Sequence, residues 1–166
     1  MTEANAGWES RILELWAAID DYEETEFVAR IDALVAELPI GSAIGAFERA
    51  SAFDSTGHAD LAVPLYAAAL EVGLVGVRRR RAVIQMASSL RNLGNPQEAI
   101  ALLTAELRAE TDALSGAVRA TLALALADVG REREGLSLAL TALSEYLPRY
   151  NRSLARYAQE LITGQT

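Results

Sequence analysis

The sequence predicts an all-α protein, an α-solenoid of about nine helices arranged as antiparallel pairs. Apolar residues recur at helical spacing along the chain, and no segment shows the alternation expected of a strand. A unit of two helices joined at a central glycine occurs three times. The composition is 51% hydrophobic and rich in Ala and Leu, which favours closely packed helices.

Residues 1–38 are expected to form an N-terminal helical hairpin that packs on the repeat array. The first helix is predicted over residues 7–22 and the second over residues 26–38. Both place apolar residues on one face, among them the pair Trp8 and Trp16. We interpret the two tryptophans as core residues; the alternatives are a ligand platform or part of a dimer interface.

Residues 78–107 are the clearest of the repeated units. The first helix has an apolar face and an opposite polar face. The apolar face carries Val83, Met86, Ala87 and Leu90, and the polar face carries Arg81, Gln85, Ser88 and Asn92. In the turn, Gly94 supplies the left-handed residue that ends the first helix, and Pro96 suits the first position of the next. We expect Asn95 to cap that second helix, with Glu98 reaching back as in a capping box.

The same pattern of small and large residues surrounds two other glycines. Gly57, Gly94 and Gly130 lie 37 and 36 residues apart. The residues at equivalent offsets are Ala50, Phe53, Ala62, Tyr66 and Ala69 in the first unit, Ala87, Leu90, Ala99, Leu103 and Glu106 in the second, and Ala123, Leu126, Gly135, Ala139 and Ala142 in the third. The chain therefore contains an internal helical repeat.

The stretches GHADLAVPLYAAAL and GNPQEAIALLTAEL resemble the tetratricopeptide repeat (TPR), whose period is roughly 34 residues. The longer segments FERASAFDSTG and RRRRAVIQMASSLRNLG are similar to short stand-alone bacterial TPR proteins, TPR group 5. The resemblance covers residues 39–163. It implies a right-handed superhelix with three repeats at about 42–72, 76–109 and 115–146, and we expect a capping helix at 149–162. TPR domains are generally non-catalytic scaffolds, which implies a protein or peptide partner.

Three features depart from this pattern. Pro64 lies inside a predicted helix, so we expect a late helix start or a kink there. Gly135 and Ala139 stand where larger residues are usual, which predicts loose packing or a shifted register in the third repeat. The positions of the chaperone-tail clamp are occupied by Phe47 and Ser51, Ile84 and Ser88, and Ala120 and Leu124, so the clamp itself is absent.

Four consecutive arginines, Arg78 to Arg81, begin the first helix of the second repeat, where positive charge opposes the helix macrodipole. Three explanations remain open. In the first, the side chains reach solvent and cover apolar surface with their stems. In the second, they pair with acids such as Glu48, Asp54 or those of the N-terminal hairpin. In the third, Arg81 binds a carboxylate or an acidic peptide in the concave groove. For the third, the candidate groove residues are Arg81, Gln85, Ser88, Asn92, Glu48 and Ser51.

Charge and composition exclude several classes of function. Residues 1–38 carry ten acids and two arginines, and the rest of the chain carries thirteen of each, so we expect no nucleic-acid partner. The turn DDYEETE lacks the glycine of a calcium loop and has Tyr22 at a ligand position, so we expect no metal. The chain has no cysteine, and its one histidine, His58, has no evident orienting acid, so we expect no enzyme and no cofactor. No secretory signal or membrane span is apparent, which suggests a cytoplasmic protein.

The sequence thus favours a non-catalytic scaffold that binds a protein or peptide in the concave groove. The alternative is a self-associating structural subunit, a homodimer formed through an apolar edge near Trp8 and Trp16 or through the last helix. A small enzyme is the third hypothesis.

Overall fold

The computed structural model describes residues 3–109 and 111–164, which form nine α-helices, one 3₁₀-helix and no strand. The helices are α1 (Glu3–Ala17), α2 (Glu24–Val35), α3 (Ala43–Ser55), α4 (Ala59–Val72), α5 (Gly76–Asn92), α6 (Pro96–Leu107), α7 (Ser115–Ala127), α8 (Glu132–Ser144) and α9 (Asn151–Thr163). The predicted all-α helical-repeat class is confirmed.

The chain divides into two compact units, Met1–Ala82 and Val83–Thr166. In the first unit α2 packs on α1, α3 packs on α2 and α4 packs on α3; in the second, α6 to α9 pack in the same consecutive way. The boundary falls within α5. The division into a hairpin at 1–38 and repeats at 39–166 stays a prediction.

Both helices of the N-terminal hairpin begin and end earlier in the chain than the sequence predicted. Helix α1 ends at Ala17 and is followed by a 3₁₀ turn, Ile19–Asp21, and α2 ends at Val35. Two glutamates in the first turn of α2, Glu24 and Glu26, lie where a helix favours negative charge. The acidic stretch therefore separates the helices, as the predicted turn DDYEETE requires, and its last residues begin α2; the predicted continuation of α1 to residue 22 is wrong.

The three repeated glycines close their turns with the same hydrogen bonds. Each has a positive φ, between 76° and 82°, which a residue without a Cβ adopts at little cost. The amide that follows each glycine donates to a carbonyl five residues earlier: His58 to Phe53, Asn95 to Leu90 and Arg131 to Leu126, at 2.8 to 2.9 Å. This is the Schellman arrangement that ends a helix, repeated three times.

Two local expectations are corrected by the structure. The Asn95 side chain makes no capping hydrogen bond, although Pro96 does occupy the first position of α6. Helix α4 already begins at Ala59, so Pro64 lies within the helix and the predicted late start is wrong. Burial of one face of α4, including Tyr66, stabilises the helix there despite the missing backbone donor.

The core of the first unit is built on aromatic residues. Trp8, Ile12, Phe27, Ile31 and Ala52 form one buried cluster. Around it, the rings of Trp16 and Phe27 meet edge to face at 5.0 Å. The N-terminal hairpin is thus joined to α3 by continuous apolar packing.

In the second unit, α7 and α8 approach unusually closely. A Cβ built on Gly135 would lie 2.6 Å from the backbone oxygen of Ala123. Gly135 is buried, whereas Ala139, the other small residue of this helix, is exposed. The predicted loose packing is therefore wrong at Gly135, because the glycine permits a close helix contact.

Candidate functional site

Helix α5 has one buried face and one accessible face, as its sequence predicted. Val83, Met86, Ala87 and Leu90 are all buried, at 9% exposure or less. Of the four predicted groove residues on this helix, Arg81 and Asn92 are exposed and Gln85 and Ser88 are partly buried. Since residues three and four apart lie on the same side of a helix, the four form one polar stripe along α5.

At the N-terminal end of this stripe, Arg81 lies over an aromatic ring. Its guanidinium carbon is 5.2 Å from the centroid of the Phe47 ring, which is itself fully buried. Such a contact between a cation and an aromatic face orients the side chain and contributes about 0.5–1 kcal/mol at an exposed site. Among the described residues Arg81 has no ion-pair partner, so its charge remains available to a ligand.

Further along α5, the Gln85 amide has unused hydrogen-bonding capacity. Its Oε1 atom is shielded from solvent and has no hydrogen-bond partner among the described residues. Buried polar atoms are normally paired, so an unpaired one invites an explanation. Gln85 Oε1 is therefore a polar atom of α5 that no described residue satisfies.

Two of the predicted groove residues, Glu48 and Ser51, are buried in α3. Glu48 is 2% exposed and Ser51 is fully buried. The Tyr66 hydroxyl lies 3.3 Å from Ser51 Oγ, and burial raises the pKa of that phenol strongly. A ligand on the surface therefore does not touch Glu48 or Ser51, and their prediction as groove residues is corrected.

Glu48 instead joins three helices of the first unit. Its Oε2 accepts from Trp16 Nε1 at 2.8 Å, and its Oε1 accepts from Arg78 Nε at 2.9 Å. The two terminal nitrogens of Arg78 hold both carboxylate oxygens of Glu9, at 3.0 and 2.7 Å. Burial lowers the pKa of Arg78, but these hydrogen bonds outweigh it and the net pKa is raised. The arginine is therefore fixed in its charged form.

The four arginines of the run, Arg78 to Arg81, thus differ in burial and in their partners. Arg78 pairs with acids of this chain, which compensates for its unfavourable place at a helix N-terminus. Arg80 is buried and Arg79 partly buried, and both have polar partners. Arg81 is the exposed member of the run. For Arg78 the structure therefore selects the second explanation, pairing with Glu48 and with an acid of the N-terminal hairpin; the sequence did not single out Glu9, which lies 69 residues away.

An open cleft of about 380 Å³ lies near the ends of α2, α3 and α4 in the first unit. Its lining is mainly apolar and includes Leu38, Ile40, Leu65 and Val72. Arg49, the one charged residue of the lining, forms an ion pair with Asp32. The cleft suits an aliphatic side chain better than an ion.

The remaining candidate residues, Trp8 and His58, have structural roles. Trp8 is 3% exposed and donates to the Leu34 carbonyl, so it is a core residue and forms no exposed edge. His58 is the residue before α4 and contacts the Phe53 ring edge to face. In the described ranges, no group of three or more His, Cys, Asp or Glu residues is placed to hold a metal ion. Nor is any described helix both long enough and apolar enough to cross a membrane.

Glycine-hinged pairs of antiparallel helices, with small residues at the contacts, define a helical-repeat protein. A family model described as a tetratrico peptide repeat matches residues 43–161, from the first residue of α3 into α9. The chain belongs to this family, and the predicted TPR resemblance is confirmed. Comparisons with curated proteins and with solved structures returned no match. Members of the family are in general scaffolds for protein interaction.

Proposed function

We propose that this protein is a non-catalytic scaffold that holds an extended segment of another protein along the polar stripe of α5. The stripe consists of Arg81, Gln85, Ser88 and Asn92. The observation that carries the proposal is Arg81, an exposed guanidinium oriented by the Phe47 ring and without an ion-pair partner among the described residues.

The chemistry of the stripe favours a partner segment with an acidic group. A guanidinium binds a carboxylate through two parallel hydrogen bonds, which fixes both position and orientation. Gln85 and Asn92 carry amides, and amides can pair with the backbone of an extended peptide. We therefore expect an acidic side chain or terminus near Arg81 and backbone contacts towards Asn92.

The test is affinity capture from the native cell with two matched variants. Arg81→Glu with Asn92→Ala reverses the charge and removes an amide on the stripe. Arg108→Glu with Gln97→Ala makes the same kinds of change on exposed residues of α6 and its C-terminal end. We expect the first variant to lose at least tenfold in affinity for the captured protein and the control to bind as the wild type does.

All four substituted residues are exposed, so both variants should fold with wild-type helix content by circular dichroism. Retention of every captured protein by the α5 variant would overturn the assignment of the stripe. Equal loss in both variants would also contradict it, because binding would then depend on overall charge.

A further inference from the structure

The outer side of α9 and the loop before it form a second surface suited to recognition. We call this the C-terminal Arg/Tyr surface: Arg149, Tyr150, Arg152, Arg156 and Tyr157, all of which are exposed. Tyr150 and Tyr157 are 77% and 52% exposed, and the Arg156 guanidinium lies 5.0 Å from the Tyr157 ring centroid. Arginine and tyrosine are the residue types enriched where proteins bind one another.

The local charge of this surface is opposite to that of the protein. Residues 147–164 contain three arginines and one glutamate, whereas the whole chain carries −8. Arg149 and Arg152 have no ion-pair partner among the described residues. The surface therefore offers unneutralised positive charge beside exposed aromatic area.

The backbone at this surface is strained in a way that presents an aromatic ring. Tyr150 is the one described non-glycine residue with a positive φ, 65°. A bulky residue in this left-handed conformation costs about 1–2 kcal/mol. Since the Tyr150 side chain is largely exposed, its packing within the described chain does not offset this conformational free energy.

The same chain carries a complementary acidic segment in the first unit. Asp20, Asp21, Glu23 and Glu24, at the turn between α1 and α2, are all exposed and have no ion-pair partner among the described residues. We propose that the occupant of the C-terminal Arg/Tyr surface is a second copy of this chain, which contributes the acidic turn at residues 20–24. The two surfaces differ, so the contact is head-to-tail and leaves one free surface of each kind at the ends.

The first test is sedimentation velocity of the wild type over about 10 µM to 1 mM, at about 20 mM and about 500 mM salt. Individual exposed ion pairs are weak, so we expect weak association that grows with concentration and falls by at least tenfold at high salt, where charges are screened within a few ångströms. A monomer throughout at low salt would overturn the proposal.

The decisive test reverses the charges one surface at a time. Asp20→Arg with Asp21→Arg changes the net charge from −8 to −4, and Arg149→Glu with Arg152→Glu changes it to −12. We expect each variant alone to lose association at least tenfold. If association depended on net charge alone, the variant with Asp20→Arg and Asp21→Arg would associate more strongly than the wild type, because its smaller net charge reduces repulsion between copies.

Restoration is the matched control. In an equimolar mixture of the two variants, the positively charged turn of one can pair with the negatively charged α9 surface of the other. A chain that carries all four substitutions has the same net charge as the wild type, −8. We expect both to associate as the wild type does. Wild-type association by either single variant, or no restoration in both the mixture and the fourfold variant, would overturn the proposed pairing.

Discussion

At the scale of single residues, burial decides which polar side chains are structural and which can meet a partner. Glu48 and Arg81 are both charged and both belong to the region predicted to bind, yet one is 2% exposed and the other lies on the surface. The helical period predicted the buried and accessible faces of α5 but not the burial of Glu48 in α3. It could not predict that α1 covers Glu48, because that depends on packing between distant segments.

Tyr66 provides a pH-dependent test at this scale. Burial raises the pKa of its phenol, while an unfolded tyrosine titrates near 10. The stability that this group contributes is therefore complete below about pH 10 and is lost as the pH rises further, since only the unfolded state releases the proton. One such group contributes a slope of up to about 1.4 kcal/mol per pH unit.

We expect Tyr66→Phe to lose that slope above pH 10 and to cost about 1 kcal/mol at neutral pH through the lost hydrogen bond to Ser51. Urea unfolding between pH 8 and about 11.5 measures both effects. Tyr157→Phe, on an exposed ring, controls for the substitution itself. An unchanged slope in Tyr66→Phe would contradict the assignment.

Gly135 tests the close approach of α7 and α8. In Gly135→Ala the new Cβ meets the Ala123 backbone oxygen, which has little freedom to move, so we expect a loss of about 1–3 kcal/mol in the free energy of unfolding. Gly116→Ala is the matched control in the same unit. Its Cβ would meet only the end of the exposed Tyr146 side chain, so we expect no loss, because alanine favours a helix.

Urea denaturation of both glycine variants gives the comparison directly. If Gly135→Ala were as stable as Gly116→Ala, the two helices would not be in the contact described.

At the scale of elements, the repeated turn was largely predictable and the helix ends were less so. A glycine followed by the same offsets identified three hinges, and the structure gives them the same hydrogen bonds. Pro64 misled the prediction because tertiary burial of α4 outweighs the local cost of proline. The predicted ends of α1 and α2 differ from the observed ends because acidic residues are compatible both with the first turn of a helix and with the turn that precedes it.

The junction of α1, α3 and α5 is an element-scale feature that the sequence indicated only as one of three alternatives for the arginine run. Glu48→Ala removes the buried carboxylate that accepts hydrogen bonds from both Trp16 and Arg78. We expect this substitution to lower the free energy of unfolding by about 3 kcal/mol. Glu48→Gln keeps an acceptor for Trp16 and should cost less.

Glu37→Ala is the control for this junction, because it breaks an ion pair with Arg11 that is exposed on both sides. We expect little or no change in the free energy of unfolding there, because solvent screens an exposed ion pair. Equal losses in Glu48→Ala and Glu37→Ala, measured by urea unfolding, would show that the junction contributes no more than a surface ion pair.

At the scale of the whole molecule, charge is segregated rather than mixed. The acidic excess lies in residues 1–38, and residues 147–164 carry a small positive excess. The sequence predicted the acidic excess but not the positive one. Three of the thirteen arginines in the rest of the chain form no evident pattern in the sequence, and only the structure shows them beside exposed tyrosines. The family assignment covers residues 43–161 and explains the scaffold, while the partner depends on which side chains the scaffold presents.

The central claim is that the polar stripe of α5 is the surface on which this scaffold holds its partner. Hydrogen–deuterium exchange of the protein, alone and bound to the captured partner, tests that claim most directly. We predict that binding slows exchange in peptides that cover residues 81–92. Slowed exchange confined to other helices, with residues 81–92 unchanged, would contradict it.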